Sequence, residues 1–322
     1  LRIIFNFKVQ EIMKTLDLFC GVGGLSLGFQ KMDFEIVGAI DNWKEAVETY
    51  NQNKKLFKHK ATLHDLRDYN KLNFEKLFGK IECVIGGPPC QDFSSAGKRM
   101  EDKNADLTVV FGKILKKIKP RFFVMENVPR TKNSNSYLLV KKIFYDIGYS
   151  LSEVILDASL CGVPQRRKRF FCIGSLEGSE GFLNGHLEKN LSKKPKTLRE
   201  FFKTKLNVEH YYRHPRSYAR RGIFSVDEPS PTIRGVNRPI PKNYKIHSGD
   251  TFPEVHNLRP LTTLERSRIQ TFPESFVWTG SKTQKEQLIG NAVPPELAQY
   301  VAKCLKDYIK SGEIGQFSLK LD

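Results

Sequence analysis

The chain has 322 residues, enough for one large domain and a smaller one, and no apolar stretch approaches the ~20 residues that a membrane span needs. Its 53 Lys and Arg against 35 Asp and Glu give a formal charge of +18, which suits a polyanionic partner, although a lysine-rich solvated surface would give the same excess. Residues 1–12 are too short and too charged for a secretory signal, and Met13 stands where a natural start would fit. The six cysteines lack metal-site spacing and indicate reduced thiols in a cytoplasm without a bound metal.

Short apolar runs alternate with helical patterns through the first half of the chain. Strands are predicted at 15–19, 35–40, 81–85, 122–125, 151–156 and 170–173. This alternation predicts an α/β fold with a doubly wound, mostly parallel sheet. After Ser175 the period is lost until a helical segment at 262–271, which indicates a second, irregular domain. A final amphipathic helix is predicted over 294–311, with Gly312 as its stop.

The first strand runs into Asp17-Leu18-Phe19-Cys20-Gly21-Val22-Gly23-Gly24, where glycines let a ligand approach the backbone. Such a turn alone is a weak signal. Asp41 is placed to bind ribose hydroxyls, Trp43 to stack on a base and Asp65 to accept from an adenine amino group. Together they favour an adenosine-containing cofactor. Helix capping by Asp41 and core packing of Trp43 are the alternatives.

The apolar run that ends at Ile85 is followed by Gly86-Gly87-Pro88-Pro89-Cys90-Gln91. Glycine allows the turn and proline fixes φ, so the thiol of Cys90 is delivered at a fixed position. A thiol at the carboxyl end of an α/β strand lies where such sheets bind ligands, and it is a candidate nucleophile. A small residue that closes a tight turn is the alternative.

Glu126, in Met125-Glu126-Asn127-Val128, is expected at the same sheet edge as Cys90. Burial would raise its pKa toward the range useful for donating a proton, and capping of the next helix is the alternative.

A basic run, Gln165-Arg166-Arg167-Lys168-Arg169, precedes the sixth predicted strand. Side chains alternate along an extended chain, so Arg167 and Arg169 are expected on one side and Arg166 and Lys168 on the other. One pair can therefore line a pocket, whereas a fully solvated basic run is the alternative.

Six blocks in order resemble those of the DNA cytosine-C5 methyltransferases of bacterial restriction-modification systems. They are residues 17–24, Pro88-Pro89-Cys90-Gln91, Glu126-Asn127-Val128, Gln165 to Arg169, Arg259-Pro260-Leu261-Thr262 through Glu265 and Arg268, and Gln287 to Pro294. The resemblance covers nearly everything except residues 175–258, and accidental similarity rarely produces six blocks in order.

This resemblance implies a Rossmann-like, class I catalytic domain that binds S-adenosylmethionine over 1–180, with residues 1–12 peripheral. It further implies a target-recognition domain over 181–285 and a C-terminal segment, 286–322, that returns to the first domain. A monomer in the bacterial cytoplasm that needs no metal is the expected form. Glu265 and Arg268 are expected to pair and to hold their helix against the cofactor domain.

For the cofactor, the resemblance implies that Phe19 stacks on the adenine, that Asp41 binds the ribose and that Asp65 contacts the adenine. Further cofactor contacts are implied for Gly21, Gly23, Gly24, Asn42, Trp43, Leu66, Pro88, Leu107, Asn291 and Val293. Asn104-Ala105 stands where an Arg-Gly pair is usual, which puts the anchoring of that loop in doubt but not Leu107.

For double-stranded DNA, the implied partner, residues 92–99 resemble the mobile catalytic loop, with Ser94, Ser95, Lys98 and Arg99 as DNA contacts. The segment 229–238 resembles the target-recognition element, with Thr232, Arg234, Asn237 and Arg238 as further contacts. The two arginines can read guanine and Asn237 adenine, but each can equally bind phosphate. From Arg213 to Lys245 eight basic residues face two acidic ones, which fits phosphate neutralisation.

The implied chemistry begins with addition of the Cys90 thiolate to C6 of cytosine, since C5 alone is a poor nucleophile. Glu126 neutralises the charge pushed toward N3, while Arg167 and Arg169 hold the O2 edge. The target base must leave the stacked duplex for this to happen. A tRNA cytosine methyltransferase and a DNA-binding relative whose catalysis has decayed are the two alternatives, though the Cys-Phe-Thr triplet typical of the former is not found.

Overall fold

The structure is a computed structural model that describes residues 12–89, 107–217 and 219–312. Its strands are β1 Met13–Leu18, β2 Phe34–Asp41, β3 Ala61–Leu63, β4 Cys83–Gly86, β5 Phe122–Asn127, β6 Ser150–Asp157, β7 Gln165–Arg166, β8 Lys168–Ser175, β9 His210–Tyr212, β10 Ile223–Ser225 and β11 Ser230–Pro231. Its α-helices are α1 Gly24–Gln30, α2 Lys44–Gln52, α3 Phe74–Phe78, α4 Leu107–Ile118, α5 Asn135–Ile147, α6 Asn184–Lys189, α7 Leu198–Phe202, α8 Thr263–Ile269, α9 Lys282–Asn291 and α10 Pro295–Ser311.

Seven strands form one sheet in the order β3-β2-β1-β4-β5-β8-β6. The strands β1 to β5 pair in parallel, and β8 runs antiparallel to both of its neighbours. The predicted α/β fold with a mostly parallel sheet is confirmed, and each of the six predicted strands overlaps a strand of this sheet. The edge strand β3 was missed because three residues are too few to show a period.

Helices cover both faces of the sheet. On one face α1, α6 and α10 share a core with side chains of β1, β2, β4, β5 and β8. On the other face α4 and α5 share a second core with the side chains that point the opposite way. The predicted C-terminal helix is confirmed, and it ends at Gly312 in the left-handed conformation, with φ 72°. Across the described ranges, none of the helices combines the length and the apolar character that crossing a bilayer would require.

The chain after Ser175 forms short elements rather than a regular layer. Here β9 pairs with β10, and β11 pairs with β7. Apolar side chains of this part, including Phe224, Ile269 and Trp278, join one core cluster with Tyr50 and Phe57 from the first half of the chain. The second region is therefore packed directly on the side of the sheet that carries β1 and β2, while the predicted domain boundaries stay a prediction.

The expected Glu265–Arg268 pair is wrong. Glu265 forms a capping box with Thr262 at the start of α8, and its carboxylate pairs with Arg259 at 2.7 Å. Arg268 pairs instead with Glu274 at 2.8 Å. The cap turns the Glu265 carboxylate back toward the helix N-terminus, where Arg259 precedes the helix, and so away from the next turn.

A buried polar chain lies beneath the turn between β1 and α1. Ser26 donates to Asp17 Oδ2 at 2.6 Å, and Tyr50 donates to Ser26 Oγ at 3.1 Å. Tyr50 also shares a 2.7 Å hydrogen bond with His59 Nε2. Burial lowers the pKa of His59 to about 4, so its ring is neutral near pH 7. These hydrogen-bonded side chains thus join the turn after β1 to the loop before β3 without a balancing cation.

Asp17 is fully buried, and burial raises its pKa from 3.8 to about 7, with the hydrogen bond from Ser26 lowering it and the nearby Asp41 raising it. Between about pH 4 and pH 7 the folded protein holds a proton that the unfolded chain has released. The contribution of Asp17 to stability is therefore fully present below about pH 4 and is lost as the pH rises to about 7.

The variant Asp17→Asn is expected to lose this pH dependence, because its amide oxygen can still accept from Ser26 but carries no charge. Its stability relative to wild type should grow between pH 4.5 and pH 8, by at most about 4 kcal/mol. Urea unfolding followed by tryptophan fluorescence at both pH values measures the difference. Asp68→Asn, at an exposed carboxyl, is the matched control, and an equal pH slope for wild type and Asp17→Asn would contradict the assignment.

Candidate active site

A cleft of about 260 Å³ opens at the carboxyl ends of the central parallel strands. It is lined by Phe19, Cys20, Gly21, Val22, Gly24, Leu25, Asp41, Asn42, Trp43, Gly87, Pro89, Glu126, Leu288, Asn291, Ala292 and Val293. These residues come from the ends of β1, β2, β4 and β5 and from the C-terminal end of α9. Carboxyl ends of parallel strands are where open α/β sheets bind ligands.

Asp41, the last residue of β2, organises the turn on this side of the cleft. Its Oδ2 accepts from the backbone N–H of Gly21 at 2.8 Å, and its Oδ1 accepts from that of Trp43 at 2.8 Å. Burial raises the pKa of Asp41, and these two hydrogen bonds act against the rise. The carboxylate keeps free lone pairs, so it can still accept from a hydroxyl in the cleft.

Phe19 and Gly24 stand at the two ends of the same turn between β1 and α1. Phe19 has φ 56°, a left-handed conformation that is uncommon for an aromatic residue and that occurs most often at functional sites. A Cβ atom on Gly24 would lie 2.0 Å from the carbonyl oxygen of Val293, so the start of α1 touches the segment after α9 directly. The C-terminal part of the chain therefore forms a wall of the same cleft.

Glu126 closes the cleft at the end of β5. Only 7% of the residue is exposed, and its Oε1 pairs with Arg169 Nε at 2.9 Å. Burial raises the pKa of Glu126, although Arg169 and Arg167 each lower it. A carboxyl whose desolvation exceeds the effect of an adjacent guanidinium is suited to holding a proton.

The chain before Cys90 is anchored beside Glu126. Asn127 Nδ2 donates to the carbonyl of Pro88 at 2.9 Å, and Val128 N–H donates back to Asn127 Oδ1 at 2.8 Å. Asn127 thus anchors the turn before Cys90, a role that the sequence motif alone does not indicate. Cys90 itself lies outside the described residues, as do the predicted DNA contacts Ser94, Ser95, Lys98 and Arg99.

The predicted alternation of the basic run is confirmed, since Arg167 is buried while Arg166 and Lys168 are exposed. The terminal nitrogens of Arg167 donate to three backbone carbonyls. They belong to Ile233 at 3.1 Å and to Gly290 and Ala292 at 3.0 Å each. The guanidinium of Arg167 thus binds the backbone behind the cleft, whereas that of Arg169 binds the carboxylate at its edge.

Of the predicted cofactor residues, five do not line the cleft. They are Gly23, Asp65, Leu66, Pro88 and Leu107. Asp65 caps the short helical turn at 66–71, where its Oδ1 accepts from the N–H of Arg67 at 3.0 Å, and it forms an ion pair with the same arginine. Lining residues without a sequence prediction, such as Val22 and Leu288, are apolar and carry no local signal.

In the described ranges, no group of three or more His, Cys, Asp or Glu side chains is arranged to hold a metal ion.

The predicted DNA-reading residues of the second region are largely engaged within the protein. Thr232 Oγ1 donates to the carbonyl of Arg166 at 2.8 Å, and Arg234 donates to the carbonyl of His214. Asn237 Nδ2 donates to the carbonyl of Leu261 at 2.9 Å. Arg238 is exposed.

A second, open groove runs next to the ion pair of Arg169 with Glu126. Its polar lining consists of three cations, Arg166, Lys168 and Arg169, two hydroxyls, Ser159 and Thr232, and one carboxylate, Asp157. These cations and hydroxyls are the groups that proteins use to bind phosphate oxygens of nucleic acids. The groove therefore brings the basic run and the predicted recognition segment to one surface.

The model of the C-5 cytosine-specific DNA methylase family matches residues 13–307. Two similar relatives are the type II methyltransferases M.HindV of Haemophilus influenzae and M.HgiDI of Herpetosiphon aurantiacus. They are 53% and 51% identical to this chain, and the alignments cover 92% and 95% of it and 98% of each relative.

Solved structures share the fold at lower identity. A Spodoptera frugiperda DNMT2 mutant matches with a TM-score of 0.67 and 20% identity over 91% of this chain and 99% of its own. The Dnmt2 methyltransferase of S. pombe matches with a TM-score of 0.65 and 18% identity over 92% of this chain and 99% of its own. With the family match over nearly its whole length, the chain belongs to the C-5 cytosine-specific DNA methylases and is a DNA cytosine-C5 methyltransferase.

Proposed function

We propose that this methyltransferase transfers the methyl group of S-adenosylmethionine to C5 of a cytosine that has been flipped out of double-stranded DNA. The reaction proceeds through a covalent bond between Cys90 and C6 of the base. The observation that carries the proposal is the Glu126–Arg169 ion pair, which borders the same cleft as Asp41 and lies beside the anchored turn before Cys90.

The cleft fits the adenosine half of the cofactor. Asp41 offers acceptor lone pairs for ribose hydroxyls, and the rings of Phe19 and Trp43 offer faces for a base. Backbone at Gly21 can approach a ligand without a side chain between them. Asn291 and Val293 close the opposite side of the same pocket. Bound there, S-adenosylmethionine supplies an electrophilic methyl group.

The protein's own part in the reaction is to make C5 nucleophilic. The Cys90 sulfur bonds to C6, and the electron pair of the C5–C6 double bond moves into the ring as the proton of Glu126 passes to N3. After C5 has gained its methyl group, the C5 proton passes to a water molecule and the sulfur–C6 bond breaks, which restores the aromatic ring and the thiolate. Glu126 takes back its proton from N3.

Burial supports Glu126 as the acid, since it raises the pKa of the carboxyl and so favours its protonated form. Arg169 holds the carboxyl in place through their ion pair, and its guanidinium is assigned to the O2 edge of the base. Arg167 supports this site from behind through its backbone contacts. General-acid assistance of this kind contributes typically ~10²–10⁴-fold to a rate.

The basic groove is the proposed seat of the DNA backbone next to the flipped nucleotide. Arg166 and Lys168 are exposed there and their positive charge is free to neutralise phosphate. Extruding a base costs a few kcal/mol, which phosphate contacts on both sides of it can offset. Both named relatives are type II methyltransferases, so we further propose that this enzyme protects host DNA from a cognate restriction nuclease. We propose that it acts as a monomer, because it handles only one base in one strand at a time.

The covalent step has a direct test. Wild-type enzyme with S-adenosylmethionine and a mixed-sequence duplex containing 5-fluorocytosine is expected to form an adduct that survives denaturing electrophoresis, because fluorine cannot leave as the C5 proton does. Cys90→Ser should abolish the adduct, while Cys161→Ala, at a buried thiol away from the cleft, should retain it.

The outcomes separate the candidate activities. No adduct with wild-type enzyme on any mixed-sequence DNA would sink the covalent mechanism. Methylation of transcribed tRNA in place of DNA would identify the tRNA alternative, and an intact Cys90→Ser adduct would assign the nucleophile elsewhere.

Asp41→Asn tests the cofactor assignment. An amide cannot accept from both the Gly21 and Trp43 N–H groups and also serve as a charged partner for a ribose hydroxyl. Loss of one charge-assisted hydrogen bond, about 1.5–3 kcal/mol, should weaken binding of S-adenosylhomocysteine about 10- to 100-fold in isothermal titration. The exposed Asp68→Asn variant is the control, and equal affinities for all three proteins would refute the role of Asp41.

A further inference from the structure

A buried ion pair joins the helices α8 and α9. Arg266 and Glu286 are 4% and 3% exposed, and their charged groups are in direct contact. Removing two charges from water is costly, so such a pair persists only where further hydrogen bonds satisfy its remaining donors and acceptors. Arg266 lies within the block from Arg259 to Arg268, and Glu286 directly precedes the block from Gln287 to Pro294. The sequence alone indicates no role for either residue.

Apart from Thr263 of α8, the remaining contacts of the pair belong to residues 229–238, here called the recognition segment. Arg266 Nη2 donates to the backbone carbonyls of Arg234 and Val236, the latter at 3.4 Å. Glu286 Oε1 accepts from Asn237 Nδ2 at 3.1 Å and from Thr263 Oγ1 at 2.7 Å. The ion pair therefore holds the segment at three residues, by the backbone carbonyls of Arg234 and Val236 and by the side-chain amide of Asn237.

The backbone of the recognition segment packs directly against the backbone of α9. A Cβ atom on Gly290 would lie 2.2 Å from the backbone nitrogen of Gly235, and one on Gly235 would lie 3.2 Å from the Cα of Gln287. Two backbones touch here without side chains between them. A small change in the tilt of α8 or α9 is thus transmitted directly to the path of the segment.

We propose that Arg266 and Glu286 are positioning residues, which set the path of the recognition segment and through it the affinity of the enzyme for DNA. This inference rests on the proposed function of the segment as part of the DNA-binding surface. A buried ion pair is a weak source of net stability, because apolar replacements of similar size are often neutral or stabilising. The planar fork of Arg266, by contrast, fixes two carbonyls and one carboxylate in a single geometry.

The wall of the cofactor cleft at the end of α9 is held by contacts other than the Arg266–Glu286 ion pair. The carbonyls at the end of α9 are bound by Arg167 and also by Gln270, whose Nε2 donates to Ala292 at 3.1 Å. Neither support involves Glu286, which lies earlier in the helix. Loss of the ion pair is therefore expected to affect the binding of DNA and to spare the binding of the cofactor.

The test uses the full-length chain with Arg266→Lys and Glu286→Gln, which keep size and part of the hydrogen bonding. Both variants should raise KM for a mixed-sequence duplex about tenfold, with kcat and the dissociation constant of S-adenosylhomocysteine within about twofold of wild type. Backbone amides of residues 232–237 should exchange with deuterium faster in the free variants. Glu274→Gln, at a surface ion pair with Arg268, should match wild type in every readout.

Two results would overturn the proposal. One is exchange at residues 232–237 and a DNA KM that both remain at the wild-type level. The other is a parallel rise of the DNA and cofactor constants with faster exchange throughout the chain, which indicates general destabilisation. A wild-type enzyme that methylates no DNA would instead overturn the proposed function, and the exchange measurement would still decide whether the pair fixes the segment.

Discussion

The buried guanidinium of Arg167 is the contact on which the geometry of the active site depends. It lies between the end of β7 and the start of β8 and binds carbonyls from the recognition segment and from the end of α9. Burial lowers its pKa to about 9, so it is still charged at neutral pH. Three stretches that are far apart in sequence therefore meet at one cation.

A charged donor suits this position because of what it faces. The last carbonyls of a helix lack partners within the helix and carry its partial negative charge, which a cation stabilises. Gly290 and Ala292 are such carbonyls at the end of α9, and Gly24 touches the next residue, Val293, without a side chain between them. The wall of the cofactor cleft is thus held by the second region as much as by the sheet.

Residues at the ends of strands could be assigned from sequence, because a strand end fixes both position and direction within a few residues. Asp41 and Glu126 were found in this way, and both line the cleft. The contacts of Arg266 with Glu286 and of Glu265 with Arg259 could not be found, since each depends on how helices and loops meet in three dimensions. The adenine contact of Asp65 stays a prediction, and nothing in the sequence indicates that its carboxylate also caps the helical turn at 66–71 by accepting from the N–H of Arg67.

The partners of the arginines also explain how a protein with a charge of +18 keeps that charge where DNA would bind. Arg213 donates to the carbonyl of Thr232 at 2.8 Å and Arg234 to that of His214, so both are held by dipoles and not neutralised by carboxylates. Burial and the nearby Arg234 lower the pKa of Arg213 to about 10, which leaves it protonated at neutral pH. Like charges gathered in this way repel one another, and a polyanion that binds beside them relieves the repulsion. The positive charge of the second region therefore supports the proposed DNA surface even where its arginines are held by backbone carbonyls of the fold.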